Sequence, residues 1–528
     1  MKRVALFVLA LLLVTTTVTA RKKKQQIPGI PYQITKEQMY EDYDQFLEII
    51  EKFCPQIELR KKTGYDMMSA LKRHRSLIEK CENYWDFINV LDEGLKYTME
   101  VHASRTMYVG CTGSLFYDTT HVVEISDNLR RYVSEKPKDR SVFEFAFGTK
   151  YLDGQYYATS YYMFKRKKDK AKNIPDSICF KDVRFVAIDR MPVDLYVKSK
   201  IGEWSASDLR YDVKRDKYFT KVLWLNTGKY ISVEDTNGNI MEFKPGDYEF
   251  VGSSFYNDAF RKDWNAYYSR KINRGKQDVA YLPEQKTLYI RVKEMLYSND
   301  YSLIDSIKCK AQGRDIDDVI IDVRDNSGGS DLVWHDMLRA IIKDTLNIES
   351  NCVLNYNDET RAYFNAVFPY WARDYRKGTI PFLDGKVVAK KAERIDRFIP
   401  DSNSIGFEGK IYVFFNDNSY SAASSLVVFA KQHENIVSVG EPTGLVDGFG
   451  VGPWSFQLKN SHFTFQFETM LDITGATKWQ DLFQCTPEIE VRPTLKEWHD
   501  YSENESIMEW EEFLPKYDYL YKKVMKLE

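Results

Sequence analysis

Apolar positions along this chain recur first at helical spacing and later at strand spacing. Met39, Tyr43, Phe46 and Ile50 fall on one helical face. Thr35-Lys36-Glu37-Gln38 fits a capping box with Thr35 as N-cap, and Pro55 lies beyond the helix end. Met67–Ile78 and Tyr84–Met99 predict two further amphipathic helices, giving an N-terminal helical domain over 30–114. From 115 to 275 the pattern changes to short β-runs. Phe143–Tyr151 and Tyr156–Phe164 predict a hairpin through Asp153-Gly154, and Tyr230–Glu234 and Ile240–Phe243 flank Asn237-Gly238. Val183–Asp189 followed by Met191-Pro192-Val193 reads as strand, turn and helix start, and Lys165–Lys172 as a solvated basic loop.

A third region, 276–500, alternates buried strands with helices. Val319–Gly329 (VIIDVRDNSGG) predicts a buried strand ending in a polar, glycine-closed turn, with a helix from Asp331. Ile411–Phe415 predicts a second buried strand, ending at Asn416–Ser419 before an apolar helix, Ser421–Gln432. Ile436–Val439, a loop with five glycines over Gly440–Gly452, a hairpin of Trp454–Leu458 and His462–Phe467, and a short strand Glu488–Val491 follow. The segment Asn355–Asp401 has weak periodicity, and the tail, 501–528, reads as one or two helical segments. The order β-α-β-α-β predicts an α/β layered core.

Composition narrows the class. The 528 residues allow two or three domains, and 36 Tyr with 31 Phe suit many half-buried strands. A net charge of -2 points away from nucleic acid. Lys2-Arg3, the apolar run Val4–Val14 and Val18-Thr19-Ala20 predict a signal peptide over 1–20, with no Cys after it for lipid attachment. Export to a periplasm or to the outside follows, without an integral membrane segment in the mature chain. The seven Cys show no CxxC spacing; Cys54 could pair with Cys81, but scattered buried thiols are the preferred expectation.

Two places can carry chemistry. A strand feeding a helix through Gly328-Gly329 leaves backbone N–H groups free to hold an anion, though a plain β-to-α connection reads the same way. Ser421 stands between a buried strand and a helix start beside small Ala422 and Ala423, where a nucleophile is exposed and a capping serine is common. His102 sits where a helix gives way to an expected strand, Thr106–Val109.

Four segments in order carry a resemblance. Asp322-Val-Arg324-Asp-Asn326-Ser-Gly328-Gly329, Asn418-Ser-Tyr-Ser421-Ala-Ala, Gly440-Glu-Pro-Thr-Gly444 and Thr486-Pro487-Glu488-Ile489-Glu490-Val491 resemble the carboxy-terminal-processing (tail-specific) serine peptidase family. The resemblance covers about 285–495 well, and the N-terminal helices and middle region more weakly. It implies a ClpP/crotonase-like ββα spiral core, an N-terminal helical domain and a mostly β, PDZ-like middle module. It implies Ser421 as nucleophile and the amides of Gly328, Gly329 and Ala422 as oxyanion hole, with no metal or organic cofactor. Many members place a lysine base where this chain has Val446, and no Lys lies between Lys431 and Lys459. Glu100-Val101-His102-Ala103 resembles the histidine segment of the tricorn-like branch, which implies His102 as general base. Glu468 and Asp472 are position-only candidates to orient it; His335 is the runner-up base, and His433 and His462 read as surface residues. The implied activity is an exported serine endopeptidase acting on a peptide or protein substrate through an acyl-enzyme. The alternative is a non-proteolytic protein binding a peptide or hydrophobic ligand on the same fold.

Overall fold

The computed structural model describes residues 33–105, 144–254, 271–272, 274–297, 302–367, 375–390, 394–443 and 453–527. The expected signal peptide, the strand Thr106–Val109, Cys111, most of the glycine loop and Val446 lie outside the described residues.

The N-terminal helices start where their caps are written. Thr35 accepts from the Gln38 amide and the Gln38 side chain accepts from Thr35, so both ends of the capping box close on Lys36–Phe53. Met67–His74 is helical, but a 3-10 turn, Arg75–Lys80, replaces its expected continuation. Asn83 caps Tyr84–Lys96, which ends before Met99, a residue at φ 54°. The helices bury their apolar faces on the strands Cys352–Asn355, Trp454–Gln457 and Thr464–Phe467, with Phe46 and Phe465 at 5.1 Å.

In the middle region Glu144–Leu152 and Gln155–Ala158 pair across Asp153-Gly154, both at positive φ. The second run does not continue to Phe164. It breaks after Ala158, and Tyr161–Arg166 pairs instead with Tyr248–Ser254, so one expected hairpin becomes parts of two sheets. Ile231–Glu234 and Ile240–Phe243 pair as expected around Asn237-Gly238.

The last region is built on a sheet with the spatial order Gln277–Leu282, Thr287–Val292, Asp318–Asp322, Lys410–Phe415, Ile436–Gly440, Ile489–Glu490. The first pair is antiparallel and every later pair parallel. Helices Ser302–Ala311, Asp331–Ile341 and Ala422–Ala430 cover one face. The other face is covered by Trp510–Tyr517 and Tyr519–Met525, with Tyr501 from Leu495–Asn504. Strands buried on both faces explain the unbroken apolar runs. The C-terminal helices begin earlier than the expected tail, because Thr494 and Glu497 form a capping box that opens Leu495–Asn504. The weakly periodic segment holds a helix, Asp358–Val367, and the strands Arg376–Ile380, Lys386–Lys390 and Arg394–Phe398. Cys54 and Cys81 are buried and do not pair with each other, whereas Cys179 and Cys309 are exposed, so the thiols are not all buried. Among the described residues no helix is long and apolar enough to cross a membrane.

Candidate active site

Two turns distant in sequence meet at one edge of the parallel sheet. Asp318–Asp322 and Lys410–Phe415 are neighbours in register, with Asp322 beside Phe414, so the loops that follow them share an edge. Side chains then lock the loops together. The Asp325 amide donates to Asn416 Oδ1 (3.0 Å), and Asp325 Oδ1 accepts from Asn416 Nδ2 (2.9 Å) and Asn418 Nδ2 (2.6 Å). Ser419 Oγ donates to the Val323 carbonyl (2.7 Å), and the Tyr420 amide to the Asn326 carbonyl (2.9 Å).

Ser421 occupies the bend between this loop and its helix, at φ 54° and ψ -123°. A non-glycine residue there is strained, and the surrounding loop hydrogen bonds hold it. Its side chain does not cap the helix, and among the described residues its hydroxyl makes no hydrogen bond. The residue is only half-buried, whereas Ser419 and Ser424 are fully buried with their hydroxyls on backbone carbonyls. Of the nearby serines, Ser421 alone combines a bend position with an uncommitted hydroxyl.

The diglycine turn faces this bend at close range. A Cβ on Gly328 would fall 2.5 Å from Ser421 Cβ and 2.7 Å from the Tyr420 carbonyl oxygen. A Cβ on Gly329 would fall 2.2 Å from the Met295 carbonyl oxygen, and φ is +97° and +135° at the two glycines. Only glycine permits both approaches. Met295 fixes the turn from the other side: its amide donates to the Gly328 carbonyl (3.0 Å), and its carbonyl accepts from the Ser330 amide (2.8 Å). One expectation changes here. The Gly328 amide donates to Asn326 Oδ1 (2.7 Å), because an Asn side chain closes readily on the amide two residues ahead. The amides of Gly329 and Ala422 have no protein acceptor among the described residues.

His102 is carried to the same place by strand register. Ser104–Arg105 pairs with Thr464–Phe467, Ser104 opposite Gln466, so two residues further back His102 comes across from Glu468. His102 Nδ1 lies 3.3 Å from Glu468 Oε1 and 3.4 Å from Glu100 Oε1, and both carboxylates are buried. The imidazole packs on the ring of Tyr420, centroids 5.3 Å apart, and the Tyr420 hydroxyl is 3.1 Å from Nδ1 and 3.3 Å from Nε2. The residue hydrogen-bonded to His102 is therefore the immediate neighbour of Ser421. Asp472, the other acid named by position, is taken up by the Thr474 amide and hydroxyl. His335 packs edge-on against Phe398 at 4.6 Å. His433 lies against Phe429 at 4.6 Å, and both His433 and His462 are half-buried, where the sequence had read them as surface residues.

The motif's charged residues serve the scaffold. Asp322 accepts from Tyr289 Oη (2.6 Å), Arg291 Nη1 (3.2 Å) and the Arg324 amide (3.0 Å), all buried. Burial works against its charge, but the Arg291 and Arg324 guanidiniums outweigh it and hold the carboxyl far below the usual range. Arg324 also reaches Asp518 in the C-terminal segment, which ties that segment under the diglycine turn. Behind the serine loop, Lys221 pairs with Asp417 at 2.6 Å, and Lys150 pairs with Glu441 at 3.0 Å. Burial pulls the Lys221 amine down to about 7. The first pair fastens the middle strands to the loop that carries Ser421, and the second fastens them to the segment after Ile436–Gly440. Among the described residues no group of three or more His, Cys, Asp or Glu could hold a metal ion.

The sequence profile of peptidase family S41 matches residues 286–494. No curated protein matches the chain. Among solved structures the chain is similar to mature CPAF, with a TM-score of 0.52 at 12% identity over 93% of this chain and 98% of that one. It also matches the photosystem II D1 C-terminal processing protease (TM-score 0.35, 11% identity, 87% of this chain and 94% of that one). A third match is the tricorn protease (TM-score 0.33, 13% identity, 93% of this chain and 37% of that one). The likeness to mature CPAF concerns the fold, and the profile concerns the region that holds Ser421 and the diglycine turn. On that match residues 286–494 are assigned to peptidase family S41, and the chain is a serine-type peptidase.

Proposed function

We propose that the chain is an exported serine endopeptidase with Ser421 as nucleophile and His102 as general base. The observation that carries this reading is the meeting of three distant segments: a strained, uncommitted serine, a diglycine turn against it, and an imidazole that faces the buried Glu468 carboxylate and bonds Tyr420, the residue before the serine. Ser421 Oγ attacks the substrate carbonyl while His102 accepts its proton. Glu468 holds the ring and stabilises the imidazolium that forms. The developing oxyanion accepts from the Gly329 and Ala422 amides, and the absent side chain of Gly328 gives it access. His102 then returns the proton to the leaving amine, and water resolves the acyl-enzyme. Before attack the imidazole exchanges the Tyr420 hydroxyl for that of Ser421; catalytic hydrogen bonds commonly tighten only with substrate in place.

In this reading 276–500 is a ClpP/crotonase-like core, and 115–275 is a PDZ-like module that offers an extended peptide a sheet edge. The basic, apolar leader supports export. A second reading, non-proteolytic binding of a peptide or hydrophobic ligand, is favoured by one observation: the imidazole bonds Tyr420. Peptide-library cleavage by the mature chain and by Ser421→Ala separates the two. Cleavage lost in the variant supports the peptidase. No cleavage by either, with peptide still bound, supports the binding protein.

A further inference from the structure

Glu100 is buried two residues before His102, and its carboxylate touches both halves of the base. One oxygen, Oε1, accepts the His102 amide at 2.9 Å and lies 3.4 Å from His102 Nδ1. The other, Oε2, accepts the Glu468 amide at 3.2 Å. The Glu100 amide is itself held, donating to Thr98 Oγ1 at 3.3 Å. A single carboxylate thus bridges the backbone of the imidazole and the backbone of its acid partner, 366 positions apart in the sequence. Its side chain is fully buried, so water cannot take over either bond.

We propose that Glu100 is a positioning residue for the base, tying the His102 segment to Glu468 and setting a second negative charge beside the imidazole. This rests on the reading of His102 as general base. Among the described residues the backbone pairing nearest this tie is Ser104–Arg105 with Thr464–Phe467, and it leaves residues 100–103 outside the strand. A misplacement of the ring by about 1 Å when substrate is bound would cost on the order of a hundredfold in rate. The charge acts in the same direction. When His102 takes the serine proton, the new imidazolium faces two carboxylates, and each favours the charged ring. Among the described residues the titratable groups facing the ring are Glu100 from the junction, Glu468 from the strand end and the Tyr420 phenol from the serine loop. Arg105, further along the short strand, is paired with Asp92 at 2.6 Å.

The test is a histidine NMR titration of the full chain carrying Ser421→Ala, with Glu100 intact and with Glu100→Gln. The His102 signal is identified by its loss in His102→Asn. The expected result is a His102 midpoint lowered by about one pH unit or more in Glu100→Gln. In the otherwise intact enzyme, kcat for a fluorogenic peptide falls on the order of tenfold to a hundredfold at nearly constant KM. The acidic limb of its pH profile moves down with the midpoint. An unmoved midpoint in folded Glu100→Gln would overturn the proposal, even where the intact chain cleaves peptide. If Glu100→Gln does not fold, Glu100→Asp replaces it. That variant keeps the charge but shortens the reach, so kcat falls about tenfold at constant KM; unaltered kcat would overturn the bridge. A midpoint that moves in a chain lacking peptidase activity would support the tie to the ring and remove the base reading instead.

Discussion

Replacing Gly328 by alanine probes the contact on which the site depends. The added Cβ would sit 2.5 Å from Ser421 Cβ, 2.7 Å from the Tyr420 carbonyl oxygen and 3.0 Å from the Ala422 nitrogen. Ordinary contacts are about 3.5–4.0 Å, so roughly 1 Å must open between the turn and the bend. Two of the three atoms met are backbone, so no flexible side chain can absorb the shift. A φ of +97° adds a strain of about 1–3 kcal/mol for a residue with a side chain. Oxyanion donors act within about 2.7–3.1 Å, so a 1 Å opening removes one donor from range, which lowers kcat on the order of a hundredfold to a thousandfold. Gly313→Ala is the control: its φ is +68°, and a Cβ there meets nothing within 4 Å. It bears the backbone strain without the clash. Initial rates over a concentration series of one fluorogenic peptide, with thermal unfolding of each variant, read both effects. Gly328→Ala should lose kcat at nearly constant KM, while Gly313→Ala keeps its rate and loses about 1 kcal/mol of stability. A Gly328→Ala enzyme as active as Gly313→Ala would refute the reasoning.

Further predictions concern the scaffold. Asp518→Asn keeps an acceptor for the Leu520 and Tyr521 amides but removes one of the charges that balance buried Arg324. Urea unfolding should show a loss of about 2–4 kcal/mol, and no loss would deny the tail a part in holding the motif. Burial pushes the Asp472 carboxyl up to about 6, against the Thr474 hydrogen bonds. The folded state then keeps a proton that the unfolded chain, with a carboxyl near 3.9, has released, so stability falls as pH rises through about 4 to 6. Asp472→Asn should flatten urea midpoints over that window, and an unaltered slope would contradict the assignment. Burial pushes the Cys54 thiol up to about 11, whereas Cys179 and Cys309 are exposed. Iodoacetamide at pH 8 should therefore modify the latter two in the native protein and spare Cys54, as read by peptide mass spectrometry.

Much of this arrangement is written in local chemistry. Thr35 with Gln38, Asp153-Gly154 and Asn237-Gly238 set their caps and turns through contacts a few residues apart, so the chain itself announces them. The apolar runs at Val319 and Ile411 are legible because a strand covered on both faces has no polar side to show. Ser421 and the diglycine turn are legible as turns and glycines, but the clearance between them is not. It depends on the parallel register that puts Asp322 beside Phe414. Glu468 could be named by position, yet its place at His102 follows from the pairing of Ser104 with Gln466, a register between segments hundreds of residues apart. Glu100 and Tyr420 stand beside named residues and went unassigned, because only tertiary contact turns them toward the imidazole. The bond from the Gly328 amide to Asn326 has a local cause legible in the sequence: an Asn two residues before a glycine often closes on its amide. The Tyr156–Phe164 run misled because β-propensity continues through a bend that pairing interrupts.

The most direct measurement is the site of covalent modification by a fluorophosphonate, which reports an activated serine. The account predicts a single phosphonylated peptide carrying Ser421, with labelling abolished in Ser421→Ala and strongly slowed in His102→Ala. Labelling at another serine, or none in a folded chain that binds peptide, would contradict it.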